Sequence, residues 1–342
     1  MATNIANTLQ AQAIAAGRRQ RILLWAAALA VALAGTLAVA GQVARARAKA
    51  QHPPIGQLID ISGYRLHLSC QGSGGPTVIL EAGSGEPLLD WALVQPRLAQ
   101  RARVCAYDRA GLGWSDQSPR PRTAAVMADE LHTLLDRAGI DGPYVLVGHS
   151  LGGVIIRQFA VAHPHDIAGM VLVDSASEGQ VSRMPEPIQA MMSNTLPMRS
   201  AALAADAGLL ALFPGVVPAP TQLPADTAAA YQALSTMSGK AISTALAEIA
   251  AIQADATPQP KTLGDIPLVV IRHGLALLPL QGAITPEVSQ AYEALWAQMQ
   301  DELASLSARG RVVIAEQSGH AVQIDRPDLV IAAIEEVLAA AR

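Results

Sequence analysis

The sequence predicts an α/β fold: a mostly parallel eight-stranded sheet with helices on both faces, a helical cap inserted between strands six and seven, and an N-terminal transmembrane helix. Three observations carry this prediction. From Thr77 onward, short apolar runs alternate with amphipathic stretches, the spacing of strand-helix-strand crossovers. Residues 176–262 interrupt that alternation with an Ala-, Met- and Pro-rich stretch that has helical patches and no strand pattern. Finally, Ile22 to Gly41 is a run of 20 residues without a charge, enough at about 1.5 Å per residue to cross a bilayer core of about 30 Å.

The N-terminal part divides into a tail (1–21), a membrane anchor (22–44) and a linker (45–55) around Pro53-Pro54. A soluble core helix would keep a polar face, and the anchor has none. Ala38-Val39-Ala40 supports a competing reading, a cleaved signal and a secreted protein, although signal apolar regions usually run ~7–15 residues. Arg18, Arg19 and Arg21 precede the run and Arg45, Arg47 and Lys49 follow it, so the count of positive charges does not orient it. A short tail left inside puts the large domain on the periplasmic side.

After the linker, Gly56–Ile61 and Tyr64–Cys70 read as an antiparallel hairpin turning at Ser62-Gly63. Strands then follow at Thr77–Leu80, Val104–Tyr107, Tyr144–Val147, Met170–Val173, Leu268–Ile271 and Val312–Ala315. Helices lie near Leu88–Gln100, Thr123–Ala138, Leu151–Ala162 and Pro286–Leu306, with a closing helix from Asp328. The core is thus 56–175 and 263–342, and the cap, 176–262, leaves at the carboxyl edge of the sheet, where open α/β sheets bind ligands. Met184, Met191, Met192, Met198 and Met237 offer it adaptable apolar walls.

Composition narrows the class. Hydrophobic residues make up 51% and charged residues 15% of 342, enough to bury a large core. The net charge of −4 hides an asymmetry: residues 1–50 carry six Lys/Arg and no acid, which leaves 18 basic against 28 acidic residues, or −10, in the remainder. An acidic body with 3% aromatics lacks the basic face and stacking platforms of a nucleic-acid binder. No His/Cys ligand pattern calls for a metal, and no cofactor is expected. Cys70 and Cys105 sit in strand-like segments. They are either two buried small hydrophobes or, if the strands lie side by side, a disulfide that requires an oxidising compartment.

Gly148-His149-Ser150-Leu151-Gly152 directly follows the apolar run Pro143–Val147 and opens the apolar helical stretch Leu151–Ala162. A serine on a strand-to-helix turn flanked by glycines stands exposed above the sheet edge, with helix N–H groups beside it. Such a hydroxyl attacks only when a base takes its proton and a third group orients that base. Among eight histidines, His163 lies 13 residues along the helix from Ser150, about 20 Å away, and His165 fails equally. His320 follows the last strand through Ser318-Gly319, on the same rim as Ser150, and is the predicted base; His273, at the end of another strand, is its competitor.

These segments, with Asp108-Arg109-Ala110-Gly111-Leu112-Gly113-Trp114-Ser115, Gly152-Gly153 and Ser318-Gly319-His320, resemble the α/β-hydrolase superfamily over roughly residues 56–342, and more narrowly its membrane-anchored bacterial members. The resemblance implies serine-hydrolase chemistry through an acyl-enzyme and leaves the substrate open; the apolar cap and the nearby membrane point to an uncharged ester of a small, apolar or lipid-like acyl group. It also implies an acid after the sixth or seventh strand. The seventh runs into Arg272-His273-Gly274 without a carboxylate, so Asp174, ending the sixth, is the candidate, with Glu178 as the alternative. It implies two oxyanion donors as well: the Leu151 N–H and that of Ser84, with Gly83 as the alternative. Asp108 and Arg109 read as a structural ion pair or turn cap bracing the rim. The serine on the elbow disfavours epoxide and haloalkane chemistry, which resembles this fold with aspartate there. Amide or carbon–carbon hydrolysis, perhydrolysis and a non-catalytic binding role are the alternatives.

Overall fold

The computed structural model describes residues 2–213, 218–236, 238–254, 260–277 and 282–341. Its first element is one continuous helix, α1 (Ala2–Gln51), so the helix continues through the expected start of the linker. The alanine-rich sequence carries no proline before Pro53 to stop it. From Gly17 onward α1 is long and apolar enough to cross a membrane, with a mean hydropathy of 2.4 and its apolar window unburied.

The strands are β1 (Gln57–Asp60), β2 (Arg65–Gln71), β3 (Thr77–Glu81), β4 (Val104–Asp108), β5 (Tyr144–His149), β6 (Ile167–Val173), β7 (Leu268–His273) and β8 (Gly310–Ala315). They form one sheet in the order β1-β2-β4-β3-β5-β6-β7-β8. β2 alone runs antiparallel to the rest: it pairs antiparallel with both β1 and β4, and β3 to β8 are parallel. The β2–β4 register sets Cys70 opposite Cys105, and the two sulfurs are bonded.

The helices after α1 are α2 (Gln95–Leu98), α3 (Ala124–Arg137), α4 (Leu151–Ala162), α5 (Gln180–Arg183), α6 (Glu186–Ser193), α7 (Leu196–Asp206), α8 (Leu209–Leu212), α9 (Ala225–Tyr231), α10 (Gly239–Ala254), α11 (Pro286–Ala304), α12 (Val322–Asp325) and α13 (Pro327–Ala340). Side chains alternate across the sheet as the pleat demands. Ile79, Leu146, Met170, Leu172 and Val270 face the α3, α4 and α11 side, whereas Val78, Leu80, Val147, Val171 and Ile271 face Trp91, Leu98 and the α13 residues Ile334 and Val337. The helix expected near Leu88–Gln100 is broken into a 3₁₀ turn, Leu88–Trp91, and α2. Pro96 lacks the N–H, and its ring opposes the carbonyl four residues back, so the helix restarts there. Helices α5 to α10 fill the segment between β6 and β7.

Candidate active site

The turn after β5 is strained. Ser150 has φ 49° and ψ −118°, a conformation costing on the order of 1–3 kcal/mol for a residue with a side chain. The flanking glycines permit it: a Cβ on Gly152 would lie 2.5 Å from the Glu81 carbonyl oxygen, and one on Gly148 would lie 2.7 Å from Gly152. The Ser150 N–H donates to the Val173 carbonyl (3.1 Å), and its carbonyl accepts from the Ala176 N–H (3.0 Å), which joins the ends of β5 and β6.

Asp174, directly after β6, is fully buried with φ 43°. Four N–H groups converge on its carboxylate: His320 Nδ1 at 2.6 Å, the His273 amide at 3.0 Å, His273 Nδ1 at 2.8 Å and Trp296 Nε1 at 2.9 Å. Burial alone would raise its pKa, but the His273 and His320 bonds and charges hold it far below the usual carboxylate range. His273 Nε2 donates in turn to Glu293 at 2.7 Å. Both partners of the ring are carboxylates, so both nitrogens carry protons. Against the opposing effect of burial, Asp174 and Glu293 push its pKa up to about 9. The sequence competitor for the base is therefore an imidazolium clamped between two acids. Glu178, the alternative acid, accepts from Arg157 Nη2 at 2.8 Å and stands apart from this cluster.

With Nδ1 on Asp174, His320 leaves Nε2 without a partner among the described residues. The loop holding it is fixed twice: the Gly319 N–H donates to Asp325 at 2.9 Å, and His149 Nε2 donates to the His320 carbonyl at 3.0 Å. His149 Nδ1 donates to Glu86 at 2.9 Å, so this buried ring also faces only acceptors. Burial works against its charge, but Glu86 and Asp90 raise its pKa to about 9. Glu86 is correspondingly held down to about 2 by His149 against the effect of burial, while burial and the Glu86 charge push Asp90 well up. Glu86, Asp90 and His149 lie within ligating distance of one another, and both ring nitrogens of His149 are engaged, with Glu86 and with the His320 carbonyl. The other such group, His132, His163 and Asp166, includes the histidine at the far end of α4.

The loop after β3 faces the elbow. The amide of Gly83, the alternative donor, is already engaged with Glu86 at 2.7 Å. Gly85 N–H and Ser84 Oγ donate to Glu248, at 3.1 and 3.2 Å. The Ser84 and Leu151 amides have no acceptor among the described residues. Arg109 braces the loop from behind, donating to Glu81, to the carbonyls of Ala82 and Gly83 at 2.7 Å, and to Glu248 at 2.8 Å. The expected Asp108–Arg109 pair does not form. Asp108 instead accepts from Leu88 N–H, Trp114 N–H and His67 Nδ1, because successive residues at a strand end point to opposite faces.

Ser150, Leu151, Ser84 and His320 line one cavity of about 500 Å³; no hydrogen bond joins Ser150 Oγ to His320. Met184, Met191 and Met192 line the same cavity, as do Ile188, Leu277 and Tyr292. Met198 does not, and Met237 lies outside the described residues. Glu293, Trp296 and Glu248 were not legible as site residues; the i, i+3 spacing of Glu293 and Trp296 on α11 was the only signal.

A sequence profile for the alpha/beta hydrolase fold matches residues 76–232. An AB hydrolase superfamily protein of Gibberella zeae is 30% identical over 279 residues, covering 77% of this chain and 86% of that protein. The chain belongs to the α/β-hydrolase superfamily. It spans only 20%, 28% and 46% of three further curated relatives, from Hormonema carpetanum, Schizosaccharomyces pombe and Bacillus subtilis. Among solved α/β-hydrolase structures, the epoxide hydrolase CorEH superposes with a TM-score of 0.62 at 21% identity, over 84% of this chain and 98% of that one. An esterase from Thermogutta terrifontis gives 0.55 at 21%, over 83% and 97%. At these identities the likeness is one of fold.

Proposed function

We propose that this α/β hydrolase is a membrane-anchored serine esterase. The observation that carries the reading is the shared cavity of Ser150, His320 and two unengaged amides, with His320 Nδ1 held 2.6 Å from an ionised, buried Asp174. Ser150 Oγ attacks the acyl carbonyl as His320 Nε2 takes its proton. Asp174 keeps the Nδ1–H tautomer and stabilises the imidazolium that forms. The Leu151 and Ser84 N–H groups receive the oxyanion. His320 then returns the proton to the leaving alcohol and activates the water that releases the acid. The methionine-rich wall suits an uncharged, apolar acyl chain.

In the same reading, residues 22–44 of α1 anchor a core of 56–175 and 263–342 under a cap of 176–262. The Cys70–Cys105 bond favours an oxidising, periplasmic side for the body. A fluorophosphonate probe should label the folded protein and fail on Ser150→Ala, and p-nitrophenyl esters of graded length should report the acyl preference. Folded protein that neither labels nor hydrolyses any ester would favour a binding role for the fold.

A further inference from the structure

A second cavity, of about 410 Å³, lies where α1 meets the cap, away from Ser150. Gln42, Arg45 and Lys49, one face of α1, line it together with Lys240 at the start of α10 and one acid, Asp206. Its charge is poorly compensated. Arg45 reaches Asp206 only at 3.9 Å, Lys49 has no carboxylate partner among the described residues, and the Lys240 ammonium donates to the Ser115 carbonyl at 2.7 Å. Burial, and then the Lys49 charge, lower the Lys240 pKa against the opposing pull of Asp108 and Asp116, as expected of a largely buried cation near another.

Depth identifies what comes here. Gly41 closes the uncharged run of α1 and packs backbone to backbone on Gly208, just before α8; a Cβ there would lie 2.3 Å from the Gly208 carbonyl oxygen. Arg45 follows one turn later, about 6 Å up the axis, which is headgroup depth if Ile22–Gly41 fills the hydrocarbon. Leu203, Leu209 and Phe213 stand exposed beside this junction, at 72%, 36% and 61%, on the cap segment that flanks Gly208. Cations at headgroup level beside bare apolar side chains match the two halves of a phospholipid.

We propose that this cavity binds the phosphate of an anionic phospholipid in the bilayer that α1 crosses, with the acyl chains against Leu209 and Phe213. The proposal rests on the anchor reading of α1, which alkaline carbonate extraction tests separately: release of the full chain from membranes overturns the anchor and the proposal with it. The site itself is tested on the full chain in neutral detergent by following thermal melting against dihexanoyl-phosphatidylglycerol, dihexanoyl-phosphatidylcholine and inorganic phosphate. Saturable stabilisation is expected from phosphatidylglycerol, well below the concentrations at which the other two act. Lys49→Gln with Lys240→Gln should weaken the midpoint about 25-fold, at roughly fivefold per cation. Arg45→Gln with Lys49→Gln serves if Lys240 proves necessary for folding. Equal effects of the two lipids, saturation by phosphate at the same concentration, or an unchanged midpoint in both double variants each overturn the site while leaving the anchor standing.

Discussion

Asp174→Asn tests the chemistry most directly. Four N–H groups point at this carboxylate from 2.6 to 3.0 Å, and an asparagine offers them one acceptor oxygen and an opposing NH2. At least one donor then loses its partner, costing about 1–3 kcal/mol of stability. His320 loses the acceptor that fixes its tautomer, for which a fall in kcat of about 10⁴ is expected, or roughly 5.5 kcal/mol in the transition state. KM should change little, because the buried Asp174 does not line the cavity. The assay is p-nitrophenyl butyrate hydrolysis by protein shown folded by circular dichroism, with Glu178→Gln as the control expected to stay within threefold of the parent. A folded Asp174→Asn enzyme retaining more than a tenth of the parental kcat, or a Glu178→Gln enzyme losing most of it, would refute the assignment.

The raised pKa of His149 means that its contribution to stability is complete below about pH 6.5 and lost as pH rises through about 9. Urea unfolding of the parent should therefore weaken by up to roughly 3 kcal/mol across that window relative to His149→Gln. The depressed pKa of Glu86, about 2, has the opposite sign, so the same pair fades on acidification below about pH 4.5. Arg109→Lys cannot reproduce the fork that serves Glu81, Glu248 and two carbonyls; denaturant titration should show a loss of about 3–5 kcal/mol. Replacing Cys70 and Cys105 by alanine opens a closure of 35 residues and should cost about 4 kcal/mol on the chain-entropy relation, read by the same titration against the oxidised parent.

What could be read from the sequence was local. Strand periodicity and the elbow glycines placed Ser150 correctly at the junction of β5 and α4, because backbone sterics act within a few residues. Exclusion by helix length pointed to His320, and strand-end logic pointed to Asp174, which lie bonded although 146 residues apart. The partners that tune them were not legible. Glu248 reaches Arg109 across 139 residues and Trp296 reaches Asp174 across 122. A helical period says which face is buried but not which buried charge it will meet. The broken helix at Leu88–Gln100 could have been read from Pro96. The uninterrupted α1 runs on to Gln51, just ahead of Pro53-Pro54, because no helix-breaking residue stands at the start of the expected linker.

The bond from His149 to the His320 carbonyl ties the turn that carries Ser150, the proposed nucleophile, to the loop of the proposed base. Ser150 and His320, the groups proposed to react, thus share one rivet. Adaptation to different acyl chains then falls to Met184, Met191 and Met192 across the cavity. Variation in those three positions should retune which chains are accepted, while the rate of bond breaking on an accepted chain stays the property of the riveted rim.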